Sequence, residues 1–391
     1  MTEHDIIASR TAEVWYEQDA GDLAAFKALT ARTTDPADWP FAERVESNIP
    51  VYDGPAVHAA AQGTARNALM AEWAEVFRAG PGIIVIKGAI DPAIVAKATD
   101  LFDQLIAHEK AENLGGGDHF AKPGANDRVW NAAQKHCLAD PAGFAAYYGG
   151  PVIDLAARAW LGDGYQVTAQ VNRVNPGGAA QTAHRDYHLG FMSQERATAF
   201  PAHVHALSPA LTLQGAVAHC DMPVESGPTM LLPWSQLQPE GYIAFNRPDF
   251  QKVFAERHVQ MPLETGDALF FNPAVMHGAG TNRTSDVRRM ANLLQIGSAF
   301  GRSIEAVDRS AMVRALYPVL RAGGFDATTR ACTIAAAAEG YAYPTNLDID
   351  PPVGGLAPRT QAELLAASLD ANDSPERFGE IIDAYDSRRI P

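Results

Sequence analysis

The stretch QTAHRDYHLGF, residues 181–191, sets two imidazoles and a carboxylate two residues apart, at His184, Asp186 and His188. On an extended chain alternate side chains share a face, so all three would converge. Two histidines and one carboxylate on one side of an ion, with the opposite positions open, form the ligand set of non-haem Fe(II) oxygenases. His184 and Asp186 supply two of those ligands from one short segment. ETGDALFFNPAVMHGAGTNRTSDVRRM offers the third in His277, at the start of a strand that follows strand-like GDALFF. His188 reads as a fourth ligand, a support behind the ligands or a substrate contact; a triad needs only three ligands, which favours the last two. A second pair, His219 and Asp221, runs into MPVESGPTMLLPWS, where Pro223 and Gly227 imply a turn. Asp221 there reads as a turn residue, while His219 stays a candidate for the site wall. His203 and His205, in a loop-like stretch, read as partly exposed histidines.

An oxygenase that consumes 2-oxoglutarate must also hold a dicarboxylate. One end chelates the iron, and the far carboxylate needs a fixed, always-charged, bidentate partner, which arginine provides. Arg283, Arg288 and Arg289 all follow His277. Arg288 and Arg289 adjoin strand-like MANLLQIG, so their side chains face opposite ways and one of them can face inward. Lys122, Arg128 and Trp130 in a glycine-rich segment, and Arg173 ahead of the metal motif, suit an anionic or aromatic substrate or, equally, an exposed loop.

The elements that must position these groups follow from composition and periodicity. The chain has 391 residues, 47% hydrophobic and 20% charged, which is enough for a large core. Its 46 acidic against 31 basic residues give a net charge of −15, which disfavours a nucleic-acid partner. Cys137, Cys220 and Cys332 lie far apart without a C-x-x-C, so reduced thiols in a cytoplasmic setting are expected. The amino terminus lacks the basic start and apolar run of a signal peptide, and apolar runs such as GIIVIKGAI are too short to span a bilayer. Helical spacing covers 8–30 and 56–79, and residues 82–90 read as a strand. Asp91 and Pro92 then open a helix that runs to about 112. LGGGDHFAKPGANDRVWN is expected to be a loop; it lacks the G-K-[ST] of a phosphate loop. Residues 141–161 return to helix. From 165 to 300, short runs such as YQVTAQVNRV, LTLQGAVAHC, TMLLP, HVQMPL, DALFF and RMANLLQIG alternate with Pro, Gly and Asn and predict strands. Helices follow, ACTIAAAAEG among them. The expected fold class is α+β: a sandwich, jelly roll or barrel flanked by helices, in one domain. Residues 1–80 form a helical extension, 82–300 the core, and 301–391 a second helical extension.

Taken in order, HRD at 184–186, PVESGPTMLLPWS at 223–235, GD at 266–267, and HGAGTN with Arg288 resemble the phytanoyl-CoA dioxygenase family. The resemblance covers roughly 82–300. It implies an Fe(II)- and 2-oxoglutarate-dependent dioxygenase on a double-stranded β-helix (jelly-roll or cupin-like) core. It places His184, Asp186 and His277 as metal ligands, Arg288 as the 2-oxoglutarate arginine and Gln170 as a second contact to the cosubstrate. His188, His219, Arg128 and Trp130 remain for substrate or for support of the ligands. The implied partners are O2 and a small organic substrate, which is hydroxylated with release of succinate and CO2. Related halogenases carry a small residue where this chain has Asp186, so the carboxylate points to hydroxylation or a related oxidation. Two departures stand out. The family's E-N-G and P-G-S-H are here Glu225-Ser226-Gly227 and Pro233-Trp234-Ser235-Gln236, and a hydroxyl residue two after the distal histidine is here Ala279. Two other readings compete: a non-enzymatic β-barrel binding protein, and a jelly-roll metalloenzyme that does not use 2-oxoglutarate.

Overall fold

Short β-branched runs bounded by turn residues fold as strands, and a computed structural model of the chain describes residues 3–112 and 124–390. Its strands are β1 (Arg44–Glu46), β2 (Ile49–Asp53), β3 (Ile83–Lys87), β4 (Asn126–Val129), β5 (Gln166–Val174) and β6 (Thr212–Ala218). They continue with β7 (Met230–Leu232), β8 (Val259–Gln260), β9 (Ala268–Phe271), β10 (Met276–Gly278) and β11 (Arg289–Gly297). They form an eight-stranded mixed sheet in the order β1-β2-β3-β9-β6-β11-β5-β4, and a three-stranded sheet in the order β10-β7-β8. The α+β class is as expected.

β11 organises the large sheet. It pairs along its whole length with β5, from Arg289↔Val174 to Gly297↔Gln166, and with β6 from Ala291↔Ala218 to Gly297↔Thr212. Its odd positions, Arg289, Ala291, Leu293 and Gln295, line the cavity between the sheets. Its even positions Met290, Leu294 and Ile296 pack into the main hydrophobic core on the other face. Helices cover that face. Helix Pro92–Ala111 starts where the sequence predicts, with the Asp91 carboxylate accepting from Ala93 N. Helices Pro141–Tyr148 and Pro151–Leu161 follow it. The carboxy-terminal helices Arg309–Ala322, Gln361–Asp370 and Pro375–Ser387 place Tyr317, Leu365 and Phe378 in the same core as Val167 and Val171 of β5. Each such fully buried side chain contributes roughly 1.5–3 kcal/mol.

Three expectations about elements need correction. Residues 1–80 are not helical throughout: β1 and β2 extend the large sheet, and β2 pairs in parallel with β3. Pro50 hides that strand in the sequence, because proline argues against a strand interior; Ile49, Val51 and Tyr52 around it are nonetheless fully buried. The predicted helix 8–30 breaks into Glu3–Val14 and Leu23–Leu29, with Gly21 at φ 120° between them. Within the glycine-rich segment, Asn126–Val129 is strand β4, paired with β5. The triple glycine and Lys122 lie outside the described residues.

Candidate metal centre

His184 and His277 meet in an isolated antiparallel bridge between the segment ahead of Asp186 and strand β10. His184 N donates to His277 O at 2.8 Å, and His277 N donates back to His184 O at 3.0 Å. His277 thus stands in a strand, as expected. The 181–188 stretch does not form one, and only His184 is bridged. Asp186 is fixed separately, its N–H donating to Pro273 O at 3.1 Å. Tyr187 and His188 then take positive φ values of 65° and 47° and turn the chain into a short 3₁₀ helix, His188–Phe191. The face shared by residues 184, 186 and 188 therefore ends at Asp186. His188 is absent from the cavity wall and has Nε2 3.4 Å from Thr212 Oγ1.

The ligand atoms of His184, Asp186 and His277 all lie within 4.8 Å of one another. The two Nε2 atoms stand 3.5 Å from Asp186 Oδ1 (His184) and 3.4 Å from Asp186 Oδ2 (His277). Each imidazole donates from Nδ1 to the carbonyl two residues back: His184 to Thr182 O at 2.8 Å, His277 to Val275 O at 2.9 Å. A carbonyl only accepts, so the proton sits on Nδ1 and the Nε2 lone pair is left for a metal. Burial pushes the Asp186 carboxyl up, but in the absence of a metal the two imidazoles, when protonated, and the Gln214 amide outweigh it and hold the group down at about 2. Gln214 Nε2 donates to Asp186 Oδ2 at 2.6 Å. Two neutral imidazoles and an ionised carboxylate at this separation fit one divalent ion.

The triad opens into a cavity of about 920 Å³ between the two sheets, lined also by Arg128, Trp130, Gln170 and Arg289. Leu231, Met261, Leu263, Leu269 and Phe271 form much of its apolar wall. Of the three arginines after His277, Arg283 and Arg288 are exposed, whereas Arg289 is 7% exposed and lines the cavity. Its Nη1 donates to Ser226 O at 3.1 Å and Gly280 O at 3.3 Å, and burial pulls the guanidinium down to about 10. Among the described residues no carboxylate lies within ion-pair distance of it. The even positions of β11 carry the outward apolar residues, so the odd-numbered arginine is the one that points inward. That alternation was the available signal.

The remaining candidates separate. Arg128 stacks over the Trp130 ring at 4.7 Å on the cavity wall. His219 lies on the opposite face of β6, buried between Thr99 Oγ1 and Tyr147 Oη, each at 2.8 Å. Burial, with His136 nearby, lowers it to about 3. Arg173 is tied to Asp103 and Asp127. Asp221 accepts from Thr265 N and Oγ1 at 3.0 Å, the turn role expected of it. His203 is exposed as expected, but His205 is buried against Tyr16 and Tyr242. The sequence gives little warning of Arg185, between the two ligands. Its guanidinium is buried on the far side, bonded to Ser235 O and Gln238 O and 5.6 Å from the centre of the Tyr242 ring. Ser235, from the departing family run, also accepts from Met276 N at 2.8 Å and so fixes the residue before His277.

A half-buried two-histidine, one-carboxylate centre at the edge of a cavity that also holds a buried arginine defines the class of non-haem, metal-dependent oxygenases. The family model for phytanoyl-CoA dioxygenase (PhyH) matches residues 80–290, more than half of the chain. The chain belongs to that family, and thereby to the Fe(II)/2-oxoglutarate-dependent oxygenases. It is similar to dioxygenase trt7 of Aspergillus terreus, 31% identical over 138 residues that cover 35% of this chain and 43% of that protein. It is also similar to multifunctional dioxygenase prhA of Penicillium brasilianum, 29% identical over 221 residues, 55% of this chain and 68% of that one. The chain thus spans less than half of the first of these relatives. Solved structures that resemble it include the non-haem α-ketoglutarate-dependent epimerase SnoN from nogalamycin biosynthesis, at 21% identity and TM-score 0.41 over 60% of this chain and 84% of that one. EctD from S. alaskensis with bound Fe aligns at 19% identity and TM-score 0.42, over 60% and 80%. No described helix is long and apolar enough to cross a membrane.

Proposed function

We propose that this chain hydroxylates a small organic substrate, with His184, Asp186 and His277 holding Fe(II) and Arg289 holding the distal carboxylate of 2-oxoglutarate. The observation that carries the reading is Arg289: a buried guanidinium, bonded among the described residues only to backbone carbonyls, that lines the same cavity as the triad. A buried arginine without an acidic partner is suited to a dicarboxylate ligand. It takes the role first given to Arg288, whose exposed side chain points away from the cavity. Gln170 stands on the cavity wall two strands from β6, which suits a substrate contact as well as a cosubstrate contact.

When bound, Fe(II) and 2-oxoglutarate supply oxidation of a substrate C–H bond by O2, with succinate and CO2 released. The protein's share is positional. Backbone carbonyls fix the tautomer of both imidazoles, and Gln214 orients Asp186, a carboxylate that would itself hold the metal where related halogenases carry a small residue. Leu231, Met261, Leu263 and Phe271 line the same cavity and make its wall apolar, which disfavours water there. The order of the strands supports a double-stranded β-helix. From β5 to β11 the chain passes between β5, β6, β9 and β11 in the large sheet and the His184 segment, β7, β8 and β10 in the small one.

Anaerobic Fe(II) with 2-oxoglutarate should give a weak visible charge-transfer band, and admission of O2 should produce succinate. A metal-free binding protein would give neither. A metalloenzyme indifferent to 2-oxoglutarate would keep its activity after Arg289→Ala.

A further inference from the structure

The volume of the cavity exceeds what a five-carbon diacid fills by a wide margin and falls in the range of sites for drug-sized ligands. The wall that continues from Arg289 along the large sheet is polar in a particular way. Asn172 on β5, Gln214 on β6 and Gln295 on β11 all line it. Gln295 stands directly opposite Gln214 in register, and Asn172 stands opposite both Arg128 and Ala291. Asn172 and Gln214 are more than nine-tenths buried. Asn172 Oδ1, Gln214 Oε1 and Gln295 Oε1 are all enclosed, and none accepts a hydrogen bond from the described residues. A buried amide oxygen left unpaired costs about 1–3 kcal/mol, so a ligand that donates to any of the three is favoured on this wall.

Charge narrows the class. The only lysine or arginine side chains among the described lining residues are Arg128 and Arg289. Arg289 is committed to the cosubstrate. Arg128 lies in the field of the Glu305 carboxylate, which accepts from Asn131 N at 2.7 Å. Among the described residues the substrate side therefore holds no cationic excess, and the chain as a whole carries −15. A phosphate or diphosphate group would find no matching charge. Trp130 and the half-exposed Phe191 supply apolar faces toward the rim.

We propose that the substrate is an uncharged, drug-sized molecule with several hydroxyl or N–H donors, which Asn172, Gln214 and Gln295 receive while an unsaturated face rests toward Trp130. This rests on the oxygenase reading above.

Three coumarins that differ in their polar group test it: 4-methylumbelliferyl glucoside, glucuronide and phosphate. Each is titrated by fluorescence into full-length protein loaded anaerobically with Fe(II) and 2-oxoglutarate. The glucoside is expected to bind, and the two anions to bind more weakly. Asn172→Leu and Gln295→Met should each weaken the glucoside roughly fivefold, the effect of one lost hydrogen bond, and leave the iron–2-oxoglutarate band unchanged. Absence of glucoside binding, an anion that binds as tightly or more tightly, or wild-type affinity in both variants overturns the inference. Absence of the band in the wild-type protein instead overturns the oxygenase reading on which it stands.

Discussion

His184 and His277 face each other across a single antiparallel bridge and exchange both backbone hydrogen bonds, at 2.8 and 3.0 Å. The backbone itself therefore sets their spacing, while Asp186 is held from a third direction by Pro273 O and Gln214. Removing one ligand leaves the other two in place but breaks the set. His184→Ala, Asp186→Ala and His277→Ala should each weaken Fe(II) binding at least about 100-fold, beyond the usual effect of losing an outer partner, and abolish the charge-transfer band. His184 is partly exposed, so the melting temperature of its variant should stay close to wild type.

Arg288 and Arg289 are neighbours with opposite fates. Arg289→Ala should raise the KM for 2-oxoglutarate roughly 100-fold, since truncation strands a buried carboxylate at a cost of about 3 kcal/mol or more. Arg288→Ala should leave it within about threefold, because an exposed arginine contributes little. Steady-state succinate formation against 2-oxoglutarate concentration decides between them; equal effects would reject the assignment.

Gln214 ties the substrate wall to the metal through its 2.6 Å bond to Asp186. Gln214→Leu should lower Fe(II) affinity about 10- to 100-fold, as loss of a ligand's hydrogen-bond partner does elsewhere. Anaerobic metal titration of the apoprotein reads this without turnover. Unchanged affinity would leave Gln214 as a wall residue only.

The sequence disclosed the three side chains that converge, His184, Asp186 and His277, because chemistry restricts the types a metal would need and the segment between His184 and Asp186 is short. The reason given for their convergence, a regular strand, does not hold: Tyr187 and His188 leave extended geometry at once. Strand β11 was legible as an element, yet its inward face is set by what covers the other side. Met290, Leu294 and Ile296 meet helices that come from far along the chain. The alternation was present in the sequence, but Asn292, fully buried against the hydroxyls of Tyr147 and Tyr148, blurs it. β2 and β4 were missed for local reasons, Pro50 in one and a polar NDRV in the other. Their pairing with β3 and β5 overrides weak propensity.

The His136–His219 pair, clear of the metal centre, makes the fold sensitive to acid. Burial lowers His136 to about 4 and His219 to about 3, against an ordinary value near 6.5. Between those values and 6.5 the unfolded chain binds protons that the folded one refuses. Stability is thus fully present above about 6.5 and declines as pH falls, by on the order of 1.4 kcal/mol per pH unit for each histidine. His219→Gln can still bond Thr99 and Tyr147, and should flatten the decline in chemical-denaturation midpoint between pH 6.5 and 4. A slope equal to that of wild type would refute the attribution.

Gly241 is required for space and not for backbone freedom. A Cβ there would lie 1.8 Å from Arg185 Nη1 and 1.9 Å from Cζ. The guanidinium cannot retreat, since it is buried under Tyr242 and bonded to Ser235 O and Gln238 O. Ser235 in turn holds Met276 N, beside His277, and Arg185 itself sits between His184 and Asp186. Overpacking at this point therefore strains both metal-bearing segments at once. Gly241→Ala should destabilise the fold by about 3 kcal/mol, as overpacking and disturbance of a buried charge do, and should weaken Fe(II) binding as well. Gly241→Ala combined with Arg185→Met, which removes the clash, should recover most of the melting temperature. If the double variant melts no higher than the single one, the contact with Arg185 is not the reason for the glycine.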